Sequence, residues 1–169
     1  TSLTSFVIPD SVTTISNSMF QNCTSLSSIQ IGENVENIGL YMFQSCSLTS
    51  VNIPNSVKRI GNFAFSQCKS LQSITMGNSI ESIGENSFEN CDSLASVLIP
   101  DSVESIEYQA FRKCTSLTSV VLGINLKSIG DAAFLGCTEI TSIVIPDSVT
   151  SMGIHVFFNC INLTSAVIS

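Results

Sequence analysis

Charge is scarce in this sequence: Asp, Glu, Lys and Arg make up 11% of its 169 residues, against about a quarter in an ordinary soluble domain. Ser, Thr and Asn must therefore cover much of the solvated surface. Cations are scarcest, 6 Lys and Arg beside 13 Asp and Glu for a net charge of -7. That balance argues against non-specific binding to nucleic acid or an anionic membrane, since both need clustered Lys and Arg. Only one histidine is present, His155; with no nucleophile or orienting partner in view it reads as a solvated surface residue rather than a general base. Carboxylates are scattered rather than paired, and Gly32, Gly77 and Gly123 lack phosphate-loop spacing. The sequence points away from an enzyme and implies no cofactor. No apolar run approaches the ~18 residues of a membrane span, so no membrane insertion is expected of this segment, and no signal peptide is present. Polar capping units are missing too, so residues 1–169 are read as a single array taken from a longer protein.

What the chain has is repetition. Its seven cysteines, Cys23, Cys46, Cys68, Cys91, Cys114, Cys137 and Cys160, are spaced 23, 22, 23, 23, 23 and 23 residues apart. Three residues before each stands a phenylalanine: Phe20, Phe43, Phe65, Phe88, Phe111, Phe134 and Phe157. A fixed period of about 20–29 residues, with Leu-x-x-Leu-x-Leu spacing inside it, signals a leucine-rich-repeat solenoid, whose units cannot bury their apolar faces alone and must stack. The expected fold is an α/β repeat solenoid of about seven coils. So many cysteines would suggest disulfides in a small secreted scaffold. A cysteine at one position of every coil, in phase with inward Leu and Phe, instead behaves as a small buried hydrophobe. Free thiols are the expected state, ahead of a bridge between neighbouring coils or a metal site, because zinc uses short paired spacings that this repeat does not supply. Redox compartment is therefore unreadable.

Within the first coil, Leu3, Phe6 and Ile8 with Thr4, Ser5 and Val7 between them predict a short strand. Pro9-Asp10-Ser11 forms a turn. Val12 and Ile15 face inward again, and the segment to Phe20 and Cys23 suits one or two helical turns. The strand end alternates without exception, Pro9, Gly32, Pro54, Gly77, Pro100, Gly123, Pro146, so the true period is a pair of coils. Pro lacks a ladder N–H and Gly can bend the backbone through positive φ; duplication of a two-coil unit explains the pattern equally well. One register fault, Cys46-Ser47-Leu48, lacks a residue and predicts a kink or tightened turn at Ser47.

The phrases Pro-Asp-Ser-Val, Ser-Ile-Gly, Ala-Phe-x-x-Cys and Ser-Leu-Thr-Ser-Val resemble those of BspA-like leucine-rich repeats over nearly the whole chain. The resemblance implies a curved solenoid with a parallel β-sheet of short strands on its concave side and turns and short helices on its convex side. It further implies an interaction protein of a family abundant on the surfaces of bacteria and parasitic protists, where adhesion to host matrix or cells is the usual proposal. Related arrays inside cells leave location open.

Outward strand positions form the exposed face of the sheet. One column is serine throughout, from Ser5 to Ser165, and its neighbour changes from Val7, Gln30, Asn52 and Thr75 to Leu98, Val121, Val144 and Val167. An aliphatic stripe beside a serine ladder can mark a docking surface; the bland reading is that Val and Leu simply favour strands. The candidate partner-binding residues are Leu98, Val121, Val144 and Val167, with Ser96, Ser119 and Ser142 supplying hydrogen bonds. The partner expected is a protein or glycan, such as extracellular matrix or a host cell surface, bound by a secreted or cell-surface module. The alternative is a structural or assembly spacer in an intracellular complex. Glu36, Lys58 and Glu81 share one column, as do Glu104 and Lys127, and should be opposite-charge neighbours. Tyr41 and Phe63 are adjacent outward aromatics, read as packing between coils. Asn22-Cys23-Thr24 and Asn162-Leu163-Thr164 match the glycosylation sequon but lie in core-forming phases, and read as chance matches.

Overall fold

Alternation of apolar and polar residues underlies the strands of the computed structural model, which describes residues 2–168. In chain order these are Ser5–Val7 (β1), Ser28–Gln30 (β2), Asn37–Ile38 (β3), Ser50–Asn52 (β4), Arg59–Ile60 (β5), Ser73–Thr75 (β6) and Ser82–Ile83 (β7). Ser96–Leu98 (β8), Ser105–Ile106 (β9), Ser119–Val121 (β10), Ser128–Ile129 (β11), Ser142–Ile145 (β12), Ser151–Met152 (β13) and Ser165–Ile168 (β14) follow. All pairing is parallel and joins each coil to the next. The result is a parallel β-solenoid of about seven coils. The two-residue strands form one continuous ladder, β3-β5-β7-β9-β11-β13. The longer strands β1, β2, β4, β6, β8, β10, β12 and β14, each of which begins with a serine, form the other wall, the serine wall.

Inward columns fill the space between the walls. Leu26, Leu48, Leu71, Leu94 and Leu117 are fully buried, as are Phe43 to Phe134 of the aromatic column. Seven rings from Phe20 to Phe157 stack nearly parallel, with centroids 5.1 to 5.8 Å apart. Each thiol from Cys46 to Cys160 is buried and donates to the carbonyl of the phenylalanine one coil back, Sγ to O at 3.1 to 3.2 Å. All seven cysteines are free.

The short helices expected on the far side do not form; the described residues contain strands, turns and bends. The hydrogen bonds give the reason. Tyr41, Phe43 and Ser45 donate their N–H groups to Asn62, Ala64 and Ser66 of the next coil at 2.8 to 3.0 Å. Met42, Gln44 and Cys46, between them, donate to Gly39, Tyr41 and Phe43 three residues back. An α-helix needs every N–H directed four residues back within its own segment, and here stacking takes every second one. Each coil accordingly carries two residues in the left-handed region, four apart, as at Tyr41 (φ 55°) and Ser45 (60°), Phe63 (58°) and Gln67 (60°), and Gln109 (54°) and Lys113 (57°). Coil after coil, the stretch is a chain of turns.

Pro and Gly alternate for a structural reason, though not through positive φ, which none of Gly32, Gly77 and Gly123 adopts. Strands on the serine wall are hydrogen bonded in pairs: β1 with β2, β4 with β6, β8 with β10, β12 with β14. In the first three, a Pro-ended strand precedes a Gly-ended one. Ile8, Ile53 and Ile99 close these pairs by donating to Gln30, Thr75 and Val121 at 2.9 Å. The glycine then lies against the carbonyl of the proline, where a Cβ would meet the oxygen at 2.3 to 2.4 Å. From Gly-ended to Pro-ended strand, at β2/β4, β6/β8 and β10/β12, the strands stay neighbours without a ladder. Pro54, Pro100 and Pro146 bring no N–H to that side. The two-coil period is thus a closed pair followed by an open seam.

At the register fault, the turn that other coils make after the cysteine is deleted. The bend falls at Thr49 rather than Ser47, and Ser47 Oγ donates to Thr24 O at 2.7 Å.

Candidate functional face

Ser96 and Leu98 stand on β8, Ser119 and Val121 on β10, Ser142 and Val144 on β12, and Val167 on β14. Period-2 geometry turns all of them outward, and the buried partners Val97, Val120 and Ile143 alternate with them. Leu98 is 64% exposed, Val121 52%, Val144 55% and Val167 49%. Registers place Ser119 beside Ser96, Val121 beside Leu98, and Val144 beside Val167. The candidate residues therefore share one face, but as two groups, because the seam between β10 and β12 divides them.

That seam opens into a groove of about 350 Å³ lined by Ser119, Val121, Ile124, Ser142, Val144 and Pro146 among others. Sequence reasoning missed Ile124 and Pro146, which form its far end; the step from Gly123 to Pro146 was the signal. Ile124 N donates to Asp101 Oδ1 at 3.0 Å. Asp101 also lines a second, polar depression with Glu104 and Lys127, so the two hollows meet at this turn. Glu104 and Lys127 form an exposed ion pair of 2.9 Å.

Among the described residues Lys58 bridges neither Glu36 nor Glu81; backbone bonds stack the three residues instead. A half-buried pair that the sequence reading missed joins Arg112 to Glu89, one repeat apart on the turn side. Tyr41 and Phe63 stack at 4.9 Å, as inter-coil packing requires. His155 is exposed and edge-on to Phe158. Asn22 and Asn162 are both exposed, so burial does not shield either sequon. Burial pushes the thiols up: Cys160 to about 11 and Cys46 to about 12, with Cys91 and Cys114 well above the ordinary range. Such thiols are poor nucleophiles and poor ligands. Among the described residues no group of three or more His, Cys, Asp or Glu side chains is placed to hold a metal ion, and no helix is long and apolar enough to cross a membrane.

Comparison with solved structures finds a T. pallidum leucine rich repeat protein aligned over 95% of this chain and 78% of its own, with 32% identity and a TM-score of 0.90. A leucine-rich repeat protein from Bacteroides ovatus aligns over 99% of this chain at 25% identity and TM-score 0.74. One from Eubacterium ventriosum aligns over 92% at 27% identity and TM-score 0.83. The chain spans 55% and 42% of those two proteins. No curated protein matches. The BspA type leucine rich repeat region, in 6 copies, matches residues 1–118 and 81–169. With its stacked 23-residue coils and that match, the chain belongs to the BspA type leucine-rich-repeat family, a class of protein-interaction modules that is generally non-catalytic.

Proposed function

We propose that residues 1–169 act as one array within a longer, surface-displayed or secreted protein, and that the array adheres to a protein or glycan of a matrix or host cell through its serine wall. The observation that carries this is the exposed run Leu98, Val121, Val144 and Val167, set beside serine hydroxyls and opening into a groove. Aliphatic side chains left in solvent on neighbouring strands lower the free energy when a partner covers them, by about 25 cal/mol per Å². Serine hydroxyls beside them satisfy polar groups of the partner that would otherwise be buried unpaired.

The test is binding of the chain to extracellular-matrix proteins and a glycan panel, beside Val121→Asp/Val144→Asp. Saturable binding by the parent, lost in a variant whose thermal transition is unchanged, supports the reading. Equal binding by both moves the site to another surface. No binding by either favours a structural or assembly module.

A further inference from the structure

The grooved face also carries a charge pattern that narrows its partner. From Ser128 to the end of the chain there is no Lys or Arg, whereas Asp131, Glu139 and Asp147 are present. At the groove, Asp147 follows the wall residue Pro146, and Asp101 contacts the wall residue Ile124 through its carboxylate. Both carboxylates are exposed. Lys127, the one cation of the adjoining polar depression, is held by Glu104. Moving from Val121 and Val144 past Ile124 and Pro146, the surface passes from apolar to uncompensated negative charge.

We propose that this face takes an extended protein segment with a branched aliphatic side chain seated in the β10/β12 groove and a Lys or Arg beside it on Asp101 and Asp147. The inference rests on the reading of the serine wall as the interaction site. An aliphatic side chain in the groove covers Val121, Val144 and Ile124. A neighbouring cation meets carboxylates at the rim, where steering accelerates encounter and like-charged competitors are repelled. An extended backbone presents its amides to the hydroxyls of Ser119 and Ser142, which flank the groove. A neutral oligosaccharide would use the same hydroxyls but gain nothing from the carboxylates.

The probes are four sets of fluorescein-labelled decapeptides with Ile or Ser at the centre, flanked by Lys or Glu, titrated by fluorescence anisotropy at low and high salt. Three proteins are compared: the parent, Asp101→Asn/Asp147→Asn and Val121→Ser/Val144→Ser. Asparagine at 101 preserves the turn, because Asn55 makes the equivalent bond to the Asn78 N–H at 2.9 Å. The expected result is tightest binding of the Ile/Lys set, weakened by salt. The double Asn variant should lose at least tenfold of the preference for Lys over Glu, and the double Ser variant the preference for Ile. Equal binding of Lys and Glu peptides, a Lys preference that survives the Asn changes, or binding confined to neutral oligosaccharides overturns the proposal. If Val121→Asp/Val144→Asp still abolishes matrix binding in that event, the face remains the site and only the cationic partner falls. If no valine change alters any binding, both readings fall.

Discussion

Individual side chains in this solenoid act through their counterparts one coil away. Phe88 lies between Phe65 and Phe111 at 5.3 and 5.1 Å with no exposed surface. Phe88→Ala removes two stacking contacts and leaves a cavity that neighbouring coils, held in register on both sides, cannot close. The expected cost is about 3–5 kcal/mol, read as a fall in Tm of about 6–20 °C at this chain length. The thiols supply a pH signature. A thiol ionises near its ordinary value of 9.0 in the unfolded chain but is held neutral by burial up to about 11 at Cys160 and about 12 at Cys46. The folded state therefore holds protons that the unfolded state has released, and the stability that burial supplies is complete below pH 9 and is lost as pH rises through the folded values. Urea midpoints measured from pH 8 to 11 should fall above pH 9, and less steeply for Cys91→Ala. These columns were legible in the sequence, because an apolar residue type repeating at one phase declares its burial without any knowledge of its partners.

At the scale of elements the reading was partial. The spacing Phe20-x-x-Cys23 suggested a helical turn, but successive β-turns bring residues three apart onto one side just as a helix does. What separates them is the left-handed residue on either side of each phenylalanine; Asn22, Asn86, Asn90, Asn159 and Gly136 were the available signal, and Tyr41, Phe63, Gln109, Lys113 and Ala132 at the same positions of other coils mask it. Lys113, exposed at φ 57°, tests the point. Lys113→Gly should raise stability by about 0.5–1 kcal/mol, relieving part of the left-handed penalty. Lys113→Pro should lower it by about 3 kcal/mol or more, since its φ is locked elsewhere and its N–H bond to Leu135 O is lost. The Pro/Gly alternation was visible as a pattern, but its cause, a glycine pressed on a proline carbonyl, is a contact between coils. Gly77→Ala, whose Cβ would lie 2.4 Å from Pro54 O, should destabilise by about 1–3 kcal/mol. Both series are checked by chemical denaturation.

Over the whole molecule, coils cohere through nearest-neighbour interfaces of two kinds, and deletions should tell them apart. Removing residues 78–123 joins Gly77 to the Pro146 coil and preserves the alternation; removing 78–100 sets Gly77 before Gly123 and breaks it. The shorter deletion should therefore give the less stable protein, although it keeps more of the core, as thermal unfolding of the two would show. The candidate face was legible to the same depth. Its outward aliphatics followed from period-2 alternation, whereas the groove depends on the absence of a ladder between two strands, which no single coil encodes. The seams have a mechanical consequence as well. A wall whose strands alternate between laddered pairs and open seams, hinged on the continuous β3–β13 ladder opposite, does not spread evenly. Under lateral load its compliance concentrates at β2/β4, β6/β8 and β10/β12, and the grooved seam among them becomes a joint whose opening widens or narrows with tension on the array.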